Sequence, residues 1–140
     1  MENLYSQYWI TLSNIHNKTK ELYILSEEYS NELNSFIQPV RELKDAYEHI
    51  VRAYSNQYTD NIDENYIKTN FEKAIGHEYR AFFDTADFLS IVLRQKIAER
   101  LSQYSLLEIK SVWEEYDEIK KHYSQRSKRN CLFATSKRYW

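Results

Sequence analysis

Glycine, proline and cysteine each occur once among 140 residues, as Gly76, Pro39 and Cys131. Hairpin turns draw on residues that tolerate positive φ, and a barrel or sandwich needs many such turns. Asn-Gly, Asp-Gly and Gly-Gly pairs are missing as well. A β-rich fold is thereby excluded and an all-α one expected. One cysteine closes no internal disulfide and makes no CxxC pair for zinc; it suits a reducing, cytoplasmic compartment. The longest uncharged apolar run, Phe88 to Leu93, is far too short to span a bilayer. The opening Met-Glu-Asn-Leu-Tyr has no basic stretch followed by an apolar one, so no signal peptide and no membrane association are expected. A glycine-rich phosphate loop and a Gly-x-Ser-x-Gly motif are absent, and loops that would build a pocket are few. These absences argue against a metabolic enzyme and against a bound cofactor or metal.

What is present is helical. A chain of this length forms about one domain and buries roughly two thirds of its unfolded surface, enough to fold without a disulfide or metal. Thirteen tyrosines and six phenylalanines supply much of the apolar volume. A buried tyrosine hydroxyl needs a partner, so this composition predicts rings at the edge of a thin, elongated four-helix bundle. Two helices are expected to be long and two short, over residues 3–35, 39–56, 64–104 and 106–124 within a bundle of 1–125.

The first helix carries Tyr5, Tyr8, Leu12, Ile15, Thr19, Leu22, Ser26, Tyr29, Leu33 and Phe36 at alternating spacings of three and four. That is the seven-residue repeat of helices that wrap a partner. Thr19 and Ser26 fall on this seam. They either set its register or fill places where only a small side chain fits. Pro39 belongs in the first turn of a second helix, with Val40, Leu43, Tyr47, Ile50 and Tyr54 inward and Arg41, Asp45, Glu48, His49 and Arg52 outward. The polar stretch Ser55 to Glu64 is a loop. Its Asn61, Asp63, Asn65 and Glu72 follow the spacing of a calcium-binding loop, but Tyr66 occupies the glycine position. Capping of the next helix by Asp60, Asn61 or Asp63 explains them better.

The third helix repeats Phe71, Ile75, Tyr79, Phe82, Ala86, Leu89, Leu93, Ile97, Leu101 and Tyr104, which predicts its buried face. Lys73, His77, Arg80, Asp84, Asp87 and Arg94 form a charged stripe expected to face water. Gly76 marks either a bend or a place of close approach. Ser105 and Glu108 make a capping box for the last helix. Helices of unequal length leave apolar stripes uncovered, and such stripes mark a contact with another chain. The leading expectation is therefore a non-catalytic accessory or adaptor protein that acts through self-association or a helical protein partner.

Two other readings rest on particular residues. Lys44, Asp45 and His49 place a basic residue, an acid and a histidine on one helix. This resembles the motif of the HEPN superfamily, with lysine in place of its arginine. The resemblance implies a helical bundle with metal-independent ribonuclease activity, of the toxin or defence kind. Lys44 would hold the scissile phosphate and His49 would move the proton. The second reading concerns charge. Lys120, Lys121, Arg126, Lys128, Arg129, Lys137 and Arg138 make a tail without Asp or Glu. They leave 12 of the 19 basic residues against all 21 acidic ones in the body. The tail's bases alternate with Tyr123, Phe133, Tyr139 and Trp140, so residues 126–140 bind nucleic acid, fold back on the acidic body, or dock on a protein.

Overall fold

A computed structural model describes residues 5–30 and 37–122, and all regular structure among them is helical. Helix α1 spans Ser6–Tyr29, α2 Ile37–Asn56, α3 Glu64–Leu101 and α4 Leu106–Val112; α5 covers 116–122. None of these helices is long and apolar enough to cross a membrane. The chain divides into two compact units, Met1–Lys96 and Ile97–Trp140.

In the first unit three helices share a core. Phe71 of α3 is fully buried. It stacks on Tyr5 and Tyr8, with centroids 5.7 and 5.2 Å away, and meets the edge of Trp9 at 5.3 Å. Leu12, Ala53, Ile67 and Ala74 complete this cluster, with Ile50 and Ile75 against it. Further along, His16 of α1 reaches Glu78 of α3, so those two helices run parallel. His49 of α2 meets Asn70, and Glu42 meets His77, so α2 runs antiparallel to α3.

The buried positions recur every seven residues on each helix. They are Leu12, Thr19 and Ser26 on α1; Pro39, Ala46 and Ala53 on α2; and Ile67, Ala74 and Ala81, with Phe71, Glu78, Thr85 and Val92, on α3, where Asn70 is buried as well. This is the repeat that keeps one stripe against a neighbour along wrapped helices. Most of these side chains are small. The hydroxyls of Thr19, Ser26 and Thr85 donate to carbonyls of their own helix, at Ile15, Tyr23 and Ala81. They are satisfied without a cross-helix partner, so Thr19 and Ser26 act as small fillers.

The α1 seam lies where its heptad places it from Tyr5 to Ser26, but Tyr29 is exposed; Leu33 and Phe36 fall outside the described residues. The inward faces of α2 and α3 need correction. Val40, Tyr47 and Tyr54 are exposed, and Ala46 and Ala53 are buried instead. On α3, Tyr79, Leu93 and Ile97 are exposed, as is Tyr104 beyond its end, and Ala74, Ala81 and Thr85 are buried. The physical reason is that helices pack closest where their side chains are small. Hydrophobicity weighs bulk, and here the bulk lies one position to the side.

Capping follows the sequence more directly. Asp63 accepts from the Tyr66 amide at 2.9 Å and starts α3. Pro39 lies in the first turn of α2. Gly76 leaves α3 unbroken over 38 residues. In the second unit Ser105 and Glu108 form the expected capping box of α4, and Ile109 is its buried residue. The last helix, expected as one piece, stops at Trp113, whose φ of −136° and ψ of 91° are extended. The chain resumes as α5, with Lys110 paired to Asp117 across the break.

Removing the Phe71 ring should lower unfolding free energy by about 3–5 kcal/mol. Enlarging the seam with Ala53→Leu should lower it by about 1–3 kcal/mol. Tyr47→Ala, on the exposed flank of the same helix as Ala53, should change it by less than about 0.5 kcal/mol. Urea titrations followed by circular dichroism measure all three.

Candidate functional site

Beside the small-residue seam, α2 and α3 each carry polar residues seven apart: Glu42 and His49 on one, Asn70 and His77 on the other. Seven residues are almost two full turns, so each pair lies on one line along its helix. The antiparallel packing brings the two lines together. His49 Nδ1 lies 2.9 Å from Asn70 Oδ1, and the Asn70 amide donates to the Tyr66 carbonyl. The His49 and His77 rings stack with centroids 5.4 Å apart. His77 Nδ1 lies 2.8 Å from Glu42 Oε2, and the same oxygen accepts from Arg80 Nε at 2.8 Å. Arg80 Nη2 also approaches His77 Nδ1, at 2.7 Å. That ring nitrogen either donates to the carboxylate or accepts from the guanidinium, so one proton decides which contact is made.

The side chains of Glu42 and His77 are mostly buried here, at 15% and 18% exposure, while Arg80 reaches into water. Burial would raise the Glu42 pKa, but hydrogen bonds and charge from Arg80 and His77 outweigh it and hold the carboxyl below its ordinary value. His77 and Arg80, expected on the wet side of α3, thus tie it to α2.

On the side of α3 that meets α1, Glu78 is buried. Its Oε1 lies 3.1 Å from Nδ1 of the half-exposed His16. Its Oε2 is buried without a hydrogen-bond partner. Burial raises its pKa, and the contact with His16 offsets this only in part.

The residues singled out by the HEPN-like motif are spread around α2. Lys44 is exposed and bonds to Glu48 one turn along its own helix, with Asp45 at 3.9 Å. Five residues separate Lys44 from His49, about 140° around the helix. The structure therefore does not bring them together. It puts His77 and Arg80 beside His49 instead. The signal for His77 in the sequence was the matched seven-residue spacing of polar residues on two helices; Arg80 lies outside that spacing. Of the basic tail, Lys120 lies over the Tyr116 ring at 5.6 Å and Lys121 is exposed. Arg126, Lys128, Arg129, Lys137 and Arg138 lie outside the described residues. Among the described residues no group of three or more His, Cys, Asp or Glu is placed to hold a metal. Comparison with protein-family models, curated proteins and solved structures yields no match.

The two carboxylates should respond to pH in opposite senses. Glu42 has a folded pKa below its ordinary 4.5. It therefore contributes stability above that value, and the contribution is lost as pH falls through the folded pKa. Glu42→Gln should lower stability by about 2 kcal/mol at neutral pH, and the difference should shrink in acid. Glu78 has a folded pKa raised above 4.5, so wild type loses stability as pH rises from that value. Glu78→Gln should be the more stable protein at neutral pH and lose its advantage below 4.5. Urea titrations across the acid range test both signs.

Proposed function

We propose that this chain is a non-catalytic helical accessory protein that works by association, with copies of itself or with a helical partner. The observation that carries this reading is the outer face of α3. Tyr79 is 46% exposed, Phe83 60% and Leu93 37%. Tyr79 and Phe83 stack on one another, and Phe82 meets Phe83 edge to face. Exposed apolar groups scattered singly are ordinary, but adjoining exposed rings such as Tyr79 and Phe83 mark an interaction surface. The residues seven apart at Val40, Tyr47 and Tyr54 add a second such row on α2. Rows at helical spacing are the anchors by which one helix docks on another.

Tyr79→Asp puts a charge in the middle of the α3 row. It should weaken association by about tenfold or more while leaving helix content unchanged, because the site is on the surface. Sedimentation equilibrium at micromolar concentration, with circular dichroism as the control, reads both. A wild-type chain that stays monomeric overturns self-association, and a Tyr79→Asp variant that associates like wild type removes this surface from the proposal.

One observation favours a second reading, a metal-independent ribonuclease. Two imidazoles beside a guanidinium are the groups that move a proton on and off a ribose hydroxyl and steady a phosphate. His49, His77 and Arg80 supply them. The measurement is RNA cleavage in chelator. Activity should fall by about a hundredfold or more in His49→Ala and in His77→Ala, and a wild-type chain that leaves RNA intact ends this reading.

A further inference from the structure

The outer face of α3 carries opposite charges at equal distances from Phe83. Eleven residues make almost three turns, so Glu72, Phe83 and Arg94 lie within about 20° of one line for each step. Glu72 and Phe83 are exposed, and Arg94 is half-buried with its Nε donating to the Ser90 carbonyl. Glu72 lies 3.9 Å from Lys68. Resting on the association reading above, we infer that the partner is a second copy, with the two α3 helices antiparallel and Phe83 on the two-fold axis.

In a two-fold antiparallel pair, a residue any number of places before Phe83 meets the residue the same number after it on the partner. Four of the resulting pairs are complementary, while Leu93 comes opposite Lys73. Glu72 comes opposite Arg94, acid against base. Tyr79 comes opposite Asp87, a hydroxyl donor against a carboxylate. Gly76 comes opposite Ser90, small against small. A Cβ built on Gly76 would find nothing nearer than Arg80 Nη1 at 4.0 Å, so this side of the helix is open to a close approach. Phe83 meets Phe83, apolar against apolar. Parallel pairing in register sets Glu72 against Glu72 and Arg94 against Arg94, which repel. The apolar rings supply the affinity, and the charges choose the orientation.

The test uses the full chain. The single variants Glu72→Arg and Arg94→Glu should each weaken the dimer by about tenfold, because the symmetric pair occurs twice. The double variant should recover most of the loss, a non-additivity that independent surface charges do not show. A spin label on Lys73→Cys, which is exposed and leaves Glu72 and Arg94 in place, in a Cys131→Ser background, reads the orientation. Antiparallel pairing about Phe83 separates the two labelled backbones by about 30 Å, and parallel pairing leaves them adjacent, roughly 10 Å apart. A long distance together with rescue in the double variant supports the inference. A dimer with a short distance, or with additive charge reversals, overturns this register and leaves association standing. A wild-type chain that sediments as a monomer at micromolar concentration overturns both the register and self-association.

Discussion

Close packing on small side chains is the constraint from which the first unit takes its form. Ala46, Ala53, Ala74 and Ala81 have no exposed surface, and Thr19, Ser26 and Thr85 have almost none. They recur at seven-residue intervals on three helices, so the backbones approach one another along a continuous line. Little volume is then left between them. Among the described residues Phe71 is the one large ring fully inside, and it is held where Tyr5, Tyr8 and Trp9 converge. The other described rings are displaced to the flanks by the same closeness that buries the alanines.

The polar residues on those flanks are arranged by the same repeat. Glu42 and His49 on α2 match His77 and Asn70 on α3 only in one antiparallel register. A slip of the two helices would bury a carboxylate and two imidazoles against groups that cannot bond to them. That penalty disfavours slipped packings more than it adds to stability, since desolvation offsets much of the attraction. Glu78 shows the opposite case. Its half-satisfied carboxylate is buried on the seam, and burial raises its pKa, so its ionised form works against the fold.

A core of small residues and a surface of large ones have a functional consequence. Rings that would anchor a thicker core are left on the outside of α2 and α3. An exposed row of rings loses ordered water when another chain covers it, so the proposed association would draw on the same thinness of the seam. Electrostatics then matters for orientation. Acid and base at opposite ends of one helical row favour an inverted copy of that row, whatever the strength of the apolar contact.

Helix content, caps and the α1 seam were legible in the sequence, because each depends on residues within a turn or two of one another. The scarcity of glycine and proline, the Ser105–Glu108 box and the Asp63 cap are all of this local kind. The heptad from Tyr5 to Ser26 was also readable, since there the large apolar residues and the small fillers lie on the same face. On α2 and α3 they part company. Period and face are separate properties: a repeat of seven tells that a stripe exists, and its neighbours decide which stripe is inside. Val40, Tyr47 and Tyr54 make as good a stripe as Pro39, Ala46 and Ala53, and only the proximity of α1 and α3 selects the second. The same holds for the polar site. His49 could be singled out on α2 alone, but its companions His77 and Arg80 are on another helix, and Lys44 was close only along the chain. Tertiary structure decided the companions, because side chains distant in sequence meet only when the backbones that carry them have been packed.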